Sequence, residues 1–312
     1  LVKKLRELIP CCDMAALVKT GSDATTIAIR VARGYTGKTK IARYGYHGWH
    51  DWCVEVKGGI PQKLYEDVYE FHYNDIDSLE TILKANKDDM AGIIITPVGH
   101  PNGAEVQMPK PGYLEAVREL ANQYNCLLIF DEIRSGFRCN LGGAQKLFGV
   151  TPDLSTFGKA MANGYAIAAL VGKEEYMKVL ADKVFLSSTF FPNSDGIVAA
   201  LKTIEILERD KVLDVVAEKG RKFGAEVEKV VANSGVPANF TGAPWMPYIT
   251  FKKDDQGLYK KLRVEFYTQL IRRKVFLQPY HHGYICYRHT DEDLAYTVGA
   301  IQESLAEVKK ML

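Results

Sequence analysis

The chain has 312 residues, 47% of them hydrophobic and 25% charged, which excludes collagen-like, disordered and disulfide-scaffold classes. The 40 Lys and Arg against 38 Asp and Glu leave +2, too balanced to offer a nucleic acid a basic face. No apolar run approaches the roughly 18 residues of a membrane span, and the opening stretch lacks the order of an export signal, so a cytoplasmic protein with neither membrane nor nucleic acid as partner is expected.

In chain order, the opening residues have an amphipathic helix pattern. Residues 16–19 read as a short buried strand broken at Thr20-Gly21, and a helix with Ile27, Val31 and Tyr35 at helical spacing stops at Gly37. Residues 40–44 form a second strand, 79–85 a helix, 92–98 a strand, 112–124 a helix and 126–130 a strand ending in Asp131-Glu132. Glycines 136, 142, 143 and 149 mark a loop-rich passage, and 154–157 and 168–171 are further strands. Apolar strands alternating with helices predict an α/β fold, with a mostly parallel sheet covered on both faces. A long helical tract over 196–231 follows. Strands at 248–251, 275–278 and 284–287 and helices at 256–273 and from Asp291 then suggest a small α+β domain. We therefore expect a large domain over 1–205 and a small one over 206–312. None of the six cysteines is paired in a CxxC, so free thiols are expected, with Cys126 and Cys286 buried in strands.

Gly37-Lys38-Thr39 is a decoy for a phosphate loop: the pattern needs glycine where Ala32 stands, and here it ends a helix instead of opening one. Gly21-Ser22-Asp23-Ala24 has the right context, because it follows a strand and opens a helix whose first amides lack acceptors. Either those amides meet an anion or Ser22 caps its own helix. Asp131 stands at the carboxyl end of a central strand, where open α/β sheets bind ligands; it awaits a cation there or is satisfied by amides of the 136–143 loop. Lys159 follows a strand among small and apolar neighbours; a lone lysine is ordinarily a solvated surface charge, and this setting also admits a desolvated, nucleophilic amine. Tyr46-His47-Gly48-Trp49-His50 offers an aromatic platform; its two histidines without a further cluster do not make a metal site, and none is expected.

Gly21-Ser22-Asp23-Ala24, Arg33-Gly34-Tyr35-Thr36-Gly37, Tyr46-His47-Gly48, Asp131-Glu132-Ile133-Arg134-Ser135-Gly136-Phe137-Arg138, Phe157-Gly158-Lys159, Ser188-Thr189-Phe190 and His289-Thr290-Asp291-Glu292-Asp293 occur in a telling order. The chain resembles the class III, fold-type I pyridoxal-phosphate (PLP) enzymes, and especially their glutamate-1-semialdehyde aminomutase-like branch. The resemblance implies a transferase with PLP as cofactor. Lys159 would form the Schiff base, and Asp131 would hold the pyridine nitrogen protonated. Tyr46 would stack on one ring face and Ile133 would press on the other. Gly21 and Ser22 would take the phosphate, with Asp23 and His47 as further cofactor-binding positions. Thr189 would reach the phosphate of a neighbouring subunit, implying a homodimer with shared active sites.

The implied reaction is an aminotransfer between a small-molecule amino donor and a keto acceptor (keto acid, semialdehyde or keto sugar). An aminomutase or racemase on the same site, or an inactive scaffold subunit, are the alternatives. Thr96-Pro97 stands where the branch carries Glu-Pro, and the aminomutase asparagine aligns near Pro101, which favours an aminotransferase over an aminomutase. The stretch 54–61 is shorter than the aminomutase loop. Arg288 is either a surface ion-pair partner or a carboxylate binder. The chain is also expected to start after the family's N-terminal segment.

Overall fold

The computed structural model describes residues 1–99, 105–191 and 193–312, and Pro101 lies outside them. Its Cα positions divide into two compact units, residues 1–99 with 109–210, and the described residues 105–108 with 211–312.

The first unit is built on seven strands: β1 (Met14–Val18), β2 (Lys40–Tyr44), β3 (Val68–Glu70), β4 (Met90–Ile95), β5 (Leu127–Asp131), β6 (Leu154–Phe157) and β7 (Ala168–Gly172). They form one sheet in the order β1-β7-β6-β5-β4-β2-β3. Only β7 opposes the common direction, pairing antiparallel with both β1 and β6. Its helices are α1 (Val2–Leu8), α2 (Gly21–Thr36), α3 (Ile76–Ala85), α4 (Tyr113–Gln123), α5 (Gly143–Phe148), α6 (Glu174–Met177) and α7 (Ser194–Arg209). Parallel neighbours need crossover connections, and α3 and α4 supply those into β4 and β5.

Strand alternation sends successive side chains into different layers. Ile94 joins Ile129, Leu154 and Leu170 beneath Ile27, Ala28 and Val31 of α2. Ile93 and Ile95 join Leu128 and Phe130 against Leu79 and Leu83 of α3 and Leu114 and Val117 of α4. Both faces are covered, which is why these strands read as unbroken apolar runs. A third cluster packs Leu5 of α1 and Ala200 and Ile204 of α7 on Phe157, Ala169 and Val171.

The second unit contains α8 (Val212–Asn233), the antiparallel hairpin β8 (Ala238–Ala243) and β9 (Met246–Phe251), α9 (Leu258–Arg272) and α10 (Asp291–Lys309). Glu105 accepts from Asn239 Nδ2 at 2.7 Å, which fixes the 105–108 segment to β8. The tract expected as one long helix breaks at Lys211, whose φ of +46° separates α7 from α8, so the two units divide between Asp210 and Lys211. The strands expected at 275–278 and 284–287 do not form. Only Gly283 N and Ile285 N donate to backbone beside β9, to Pro247 O at 2.9 Å and Trp245 O at 3.2 Å, and two isolated bonds make no ladder. Pro279 removes a further donor. Cys286, expected to be buried there, is exposed, whereas Cys126 is buried and all six cysteines are free. Short β3 and β8 and the α5 turn carry no periodic signal in the sequence.

Candidate active site

Strands β1, β2, β5 and β6 run in one direction, so the residues that follow them gather at one edge of the sheet. Gly21 and Ser22 open α2 after β1, Tyr46 and His47 follow β2, Asp131 ends β5, and Lys159 follows β6. Ile133 binds three of these segments together. A Cβ built on Gly21 would lie 3.1 Å from its side chain and one on Gly158 3.2 Å, while its amide donates to Asp131 Oδ1 at 3.1 Å.

Asp131 is 3% exposed and its carboxylate is held by the fold. Oδ2 accepts from His47 Nδ1 at 2.8 Å, and Oδ1 also accepts from the Thr156 hydroxyl at 3.1 Å. A buried charge is tolerated only with such partners. Because Nδ1 donates to a carboxylate, the Nδ1–H tautomer is assigned to His47, leaving its buried Nε2 as a bare acceptor without a partner among the described residues. Thr25 Oγ1 donates to the His47 carbonyl at 2.6 Å, so α2 fixes the backbone of the same residue.

The start of α2 settles what Ser22 and Asp23 do locally. Thr20, not Ser22, is the N-cap: its hydroxyl accepts from Asp23 N at 3.2 Å, and Asp23 Oδ2 accepts from Thr20 N and Oγ1 at 2.8 Å each. This is a reciprocal capping box, and the Thr20-to-Asp23 spacing was its signal. The Asp23 carboxylate is thereby committed to the cap. Ser22 is left over: it is 8% exposed, and its Oγ accepts from Trp49 N at 3.3 Å. Gly48 makes that approach possible, since a Cβ there would fall 2.3 Å from Ser22 Oγ and its φ is +114°.

Lys159 sits in a 3₁₀ turn with a left-handed φ of +43°. Solvent reaches the residue, yet the surrounding protein strips enough water from the amine to lower its pKa to about 8. Desolvation is the largest cause; the nearby Arg134 and Arg138 cations add to it, and Asp131 opposes them. At pH 7.5 about a quarter of such an amine is neutral, against roughly one part in a thousand at the ordinary value. Arg134 lies over the Tyr46 ring, its guanidinium carbon 5.2 Å from the centroid, and is 6% exposed. The motif reading had given Arg134 and Thr156 no role.

Glu132, fully buried, points away into a cradle: Ser135 Oγ donates to it at 3.0 Å, and Gln145 N and Nε2 at 3.2 Å each, with Ala144 N as a fourth donor. Gln145 Oε1 in turn accepts from Cys11 N at 3.0 Å. Burial outweighs these donors and raises the carboxyl's pKa to about 7. A raised acid holds its proton longer when folded, so its contribution falls away as pH rises from about 4.5 to 7, by about 3 kcal/mol at most. Wild type should therefore lose melting temperature across this window relative to Glu132→Gln, so that the variant's deficit shrinks. Parallel thermal melts from pH 5 to 7.5 measure it.

Thr189 lies exposed in the irregular stretch before α7, and no hydrogen bond joins it to the Lys159 cluster among the described residues. Arg288 is in the second unit and has no ion-pair partner among them. A cavity of about 550 Å³ is lined only by second-unit residues, including Phe223, Tyr248 and Tyr267, and contains none of the groups above. No group of three His, Cys, Asp or Glu among the described residues could hold a metal, and no described helix is long and apolar enough to cross a membrane.

A profile of the class-III aminotransferases matches residues 1–287. The chain is 91% identical over 312 residues to the 3-aminobutyryl-CoA aminotransferase of Cloacimonas acidaminovorans (strain Evry), spanning all of this chain and 75% of that protein. It is 34% identical over 337 residues to the glutamate-1-semialdehyde 2,1-aminomutase of Sulfolobus acidocaldarius, with 99% and 79% of the two chains covered. Among solved structures, the FumI protein of Sphingopyxis sp. MTA144, in a PLP-bound form, superposes with a TM-score of 0.92 at 27% identity, covering 99% of this chain and 74% of that one. An omega-transaminase from Sphaerobacter thermophilus gives 0.89 at 27% identity, covering 99% and 77%. The residues present fit the cofactor that such proteins hold: an amine that is readily neutral, a buried carboxylate with acceptor capacity to spare, an aromatic face, and a helix N-terminus already capped by other groups. The chain belongs to the class-III aminotransferases, a fold-type I family that works with pyridoxal phosphate.

Proposed function

We propose that this aminotransferase takes the amino group from C3 of a 3-aminoacyl-CoA thioester, with 3-aminobutyryl-CoA as its substrate, and passes it to a keto acid. The observation that carries the reaction is the Lys159 amine, lowered to about 8 beside the buried Asp131–His47 pair. The 91% identity to a 3-aminobutyryl-CoA aminotransferase supports the choice of substrate.

When bound, pyridoxal phosphate supplies a carbonyl that captures amines and a pyridinium that takes up electrons. Lys159 would hold it covalently. Once free of it, the Lys159 amine would take the proton from C3 and later deliver one. Asp131 would keep the ring nitrogen protonated. Of about four acceptor positions on a carboxylate, three are filled by His47, Ile133 and Thr156, which leaves one for that N–H. His47 keeps Asp131 in place as a positioning residue. Tyr46 would supply one ring face and Ile133 the other. The Gly21 and Ser22 amides and the Ser22 hydroxyl would hold the phosphate, at the positive end of α2. Asp23 contributes by capping that helix.

The donor loses its amine to leave 3-oxobutyryl-CoA, and the keto acid leaves as an amino acid. We further propose a homodimer in which Thr189 reaches the partner's phosphate. Phe185 and Phe190, 82% and 67% exposed on either side of Thr189, support a covered surface there.

Incubation of the PLP-loaded protein with 3-aminobutyryl-CoA and 2-oxoglutarate, followed by mass spectrometry, should yield 3-oxobutyryl-CoA and glutamate in equal amounts. Turnover of free 3-aminobutyrate at the same efficiency would sink the thioester assignment.

A further inference from the structure

The cavity of about 550 Å³ in the second unit lies within the range of about 300–1,000 Å³ found for small-molecule sites. Tyr248 and Tyr267 stand in its wall as fixed rings, because the Tyr248 hydroxyl donates to Pro279 O at 3.0 Å and the Tyr267 hydroxyl to Ile249 O at 2.9 Å. Phe240 adds a third aromatic side chain. Such a wall suits a flat, aromatic group.

The rest of the wall favours negative charge. Among the described residues it holds one acid, Asp293, which is committed to the cap of α10 and accepts from Thr290 N at 2.9 Å. His289 Nδ1 accepts from Cys286 N at 3.3 Å, which assigns the imidazole proton to Nε2 as a donor. Lys274, also in the wall, pairs with no acid among the described residues. It follows α9 with a left-handed φ of +58°, a conformation that at a helix end usually falls to glycine. Glycine would suit that backbone better but would leave the wall without its cation. The amides of Phe276, Leu277 and Gln278, where no ladder with β9 forms, donate to no protein acceptor among the described residues. A cation, an imidazole N–H and a run of amides beside aromatic rings match an aromatic base that carries phosphate.

We propose that this cavity binds the adenosine phosphate end of the CoA thioester, with the base against Tyr248 and Tyr267 and a phosphate at Lys274. This deepens the functional reading above and rests on it. The pantetheine arm of such a thioester separates the nucleotide from the reacting carbon, so different residues can hold the two ends.

The probe is adenosine 3′,5′-bisphosphate, which carries the base and two phosphates without the arm. Calorimetry on the PLP-loaded protein should find it bound by wild type, about tenfold more weakly by Lys274→Gly, and not at all by Thr297→Trp, which fills the cavity. Lys274→Gly should melt no lower than wild type, because glycine suits the left-handed turn, so it decides alone if Thr297→Trp does not fold. In turnover, its KM for 3-aminobutyryl-CoA should rise about tenfold, while that for 3-aminobutyryl-pantetheine should move by less than about twofold. The probe should compete with 3-aminobutyryl-CoA. Binding without competition would make the cavity a site for a free adenosine phosphate and overturn the assignment to substrate. No binding by wild type, or equal affinity in wild type and Lys274→Gly, would overturn the proposal outright. Wild type that turns over neither thioester would count against the functional reading itself, whereas turnover of both with equal KM and no bound probe removes only the nucleotide site.

Discussion

Lys159→Ala should abolish the pyridoxyl-lysine peptide that borohydride traps in the wild-type protein, and should lower transamination at least about 10³-fold. The other lysine at this edge, Lys19 after β1, turns its amine to the Ala166 carbonyl at 3.3 Å, so the loss should not be made good from within the chain. Peptide mass mapping reads the first effect and product formation the second; full turnover with the adduct displaced to another lysine would refute the assignment. Wild type carries a second signature. Its amine is depressed to about 8, so reaction with pyridoxal phosphate should rise with pH and level off a little above 8, where an ordinary lysine would still be climbing towards 10.5.

Asp131→Asn should leave the cofactor bound but slow catalysis by on the order of 10³-fold, about 4 kcal/mol of transition-state stabilisation. An amide cannot hold a positive ring nitrogen, and half of the new group presents a donor. If the amide oxygen keeps the Ile133 and Thr156 bonds, its NH₂ meets the Nδ1–H of His47 and two donors face each other. The clash resolves if the proton moves to Nε2, the buried atom without a partner, at a cost in stability of about 1–3 kcal/mol. Denaturant melts separate this from the catalytic loss, and activity within a few-fold of wild type would remove the electron-sink role of Asp131.

Much of this architecture was legible before any coordinate. The strand at 40–44 and the helix stop at Gly37 were read correctly because period and punctuation agreed there. The places of Asp131 and Lys159 just past strands were legible because each follows a short apolar run, whereas their roles are implied by the resemblance and not by that position. The 275–287 region misled because aromatic and β-branched composition marks a strand only when a partner offers a ladder, and β9 offers two bonds. Thr156 was invisible for another reason. Which face of β6 meets Asp131 is decided by register, Asp131 opposite Thr156, and register is a property of pairs of strands. Ser22 was ambiguous only while the Thr20-to-Asp23 box went unread.

The reversed direction of β7 bears on how the chain finds its fold. Every parallel pairing in the sheet waits for a helix or long loop to bring its partner back, and β1 waits longest, for β7 lies more than 150 residues away along the chain (Met14 opposite Gly172). β6 and β7 are the exception, an antiparallel pair joined by only ten residues, 158–167, and that connection carries Lys159. Short-range closure costs little chain entropy and is fast, on the order of microseconds for a hairpin, whereas distant pairings come late. The turn that bears the reactive amine is therefore expected to form among the earliest contacts of the sheet, while the N-terminal edge strand that lies beside it docks last.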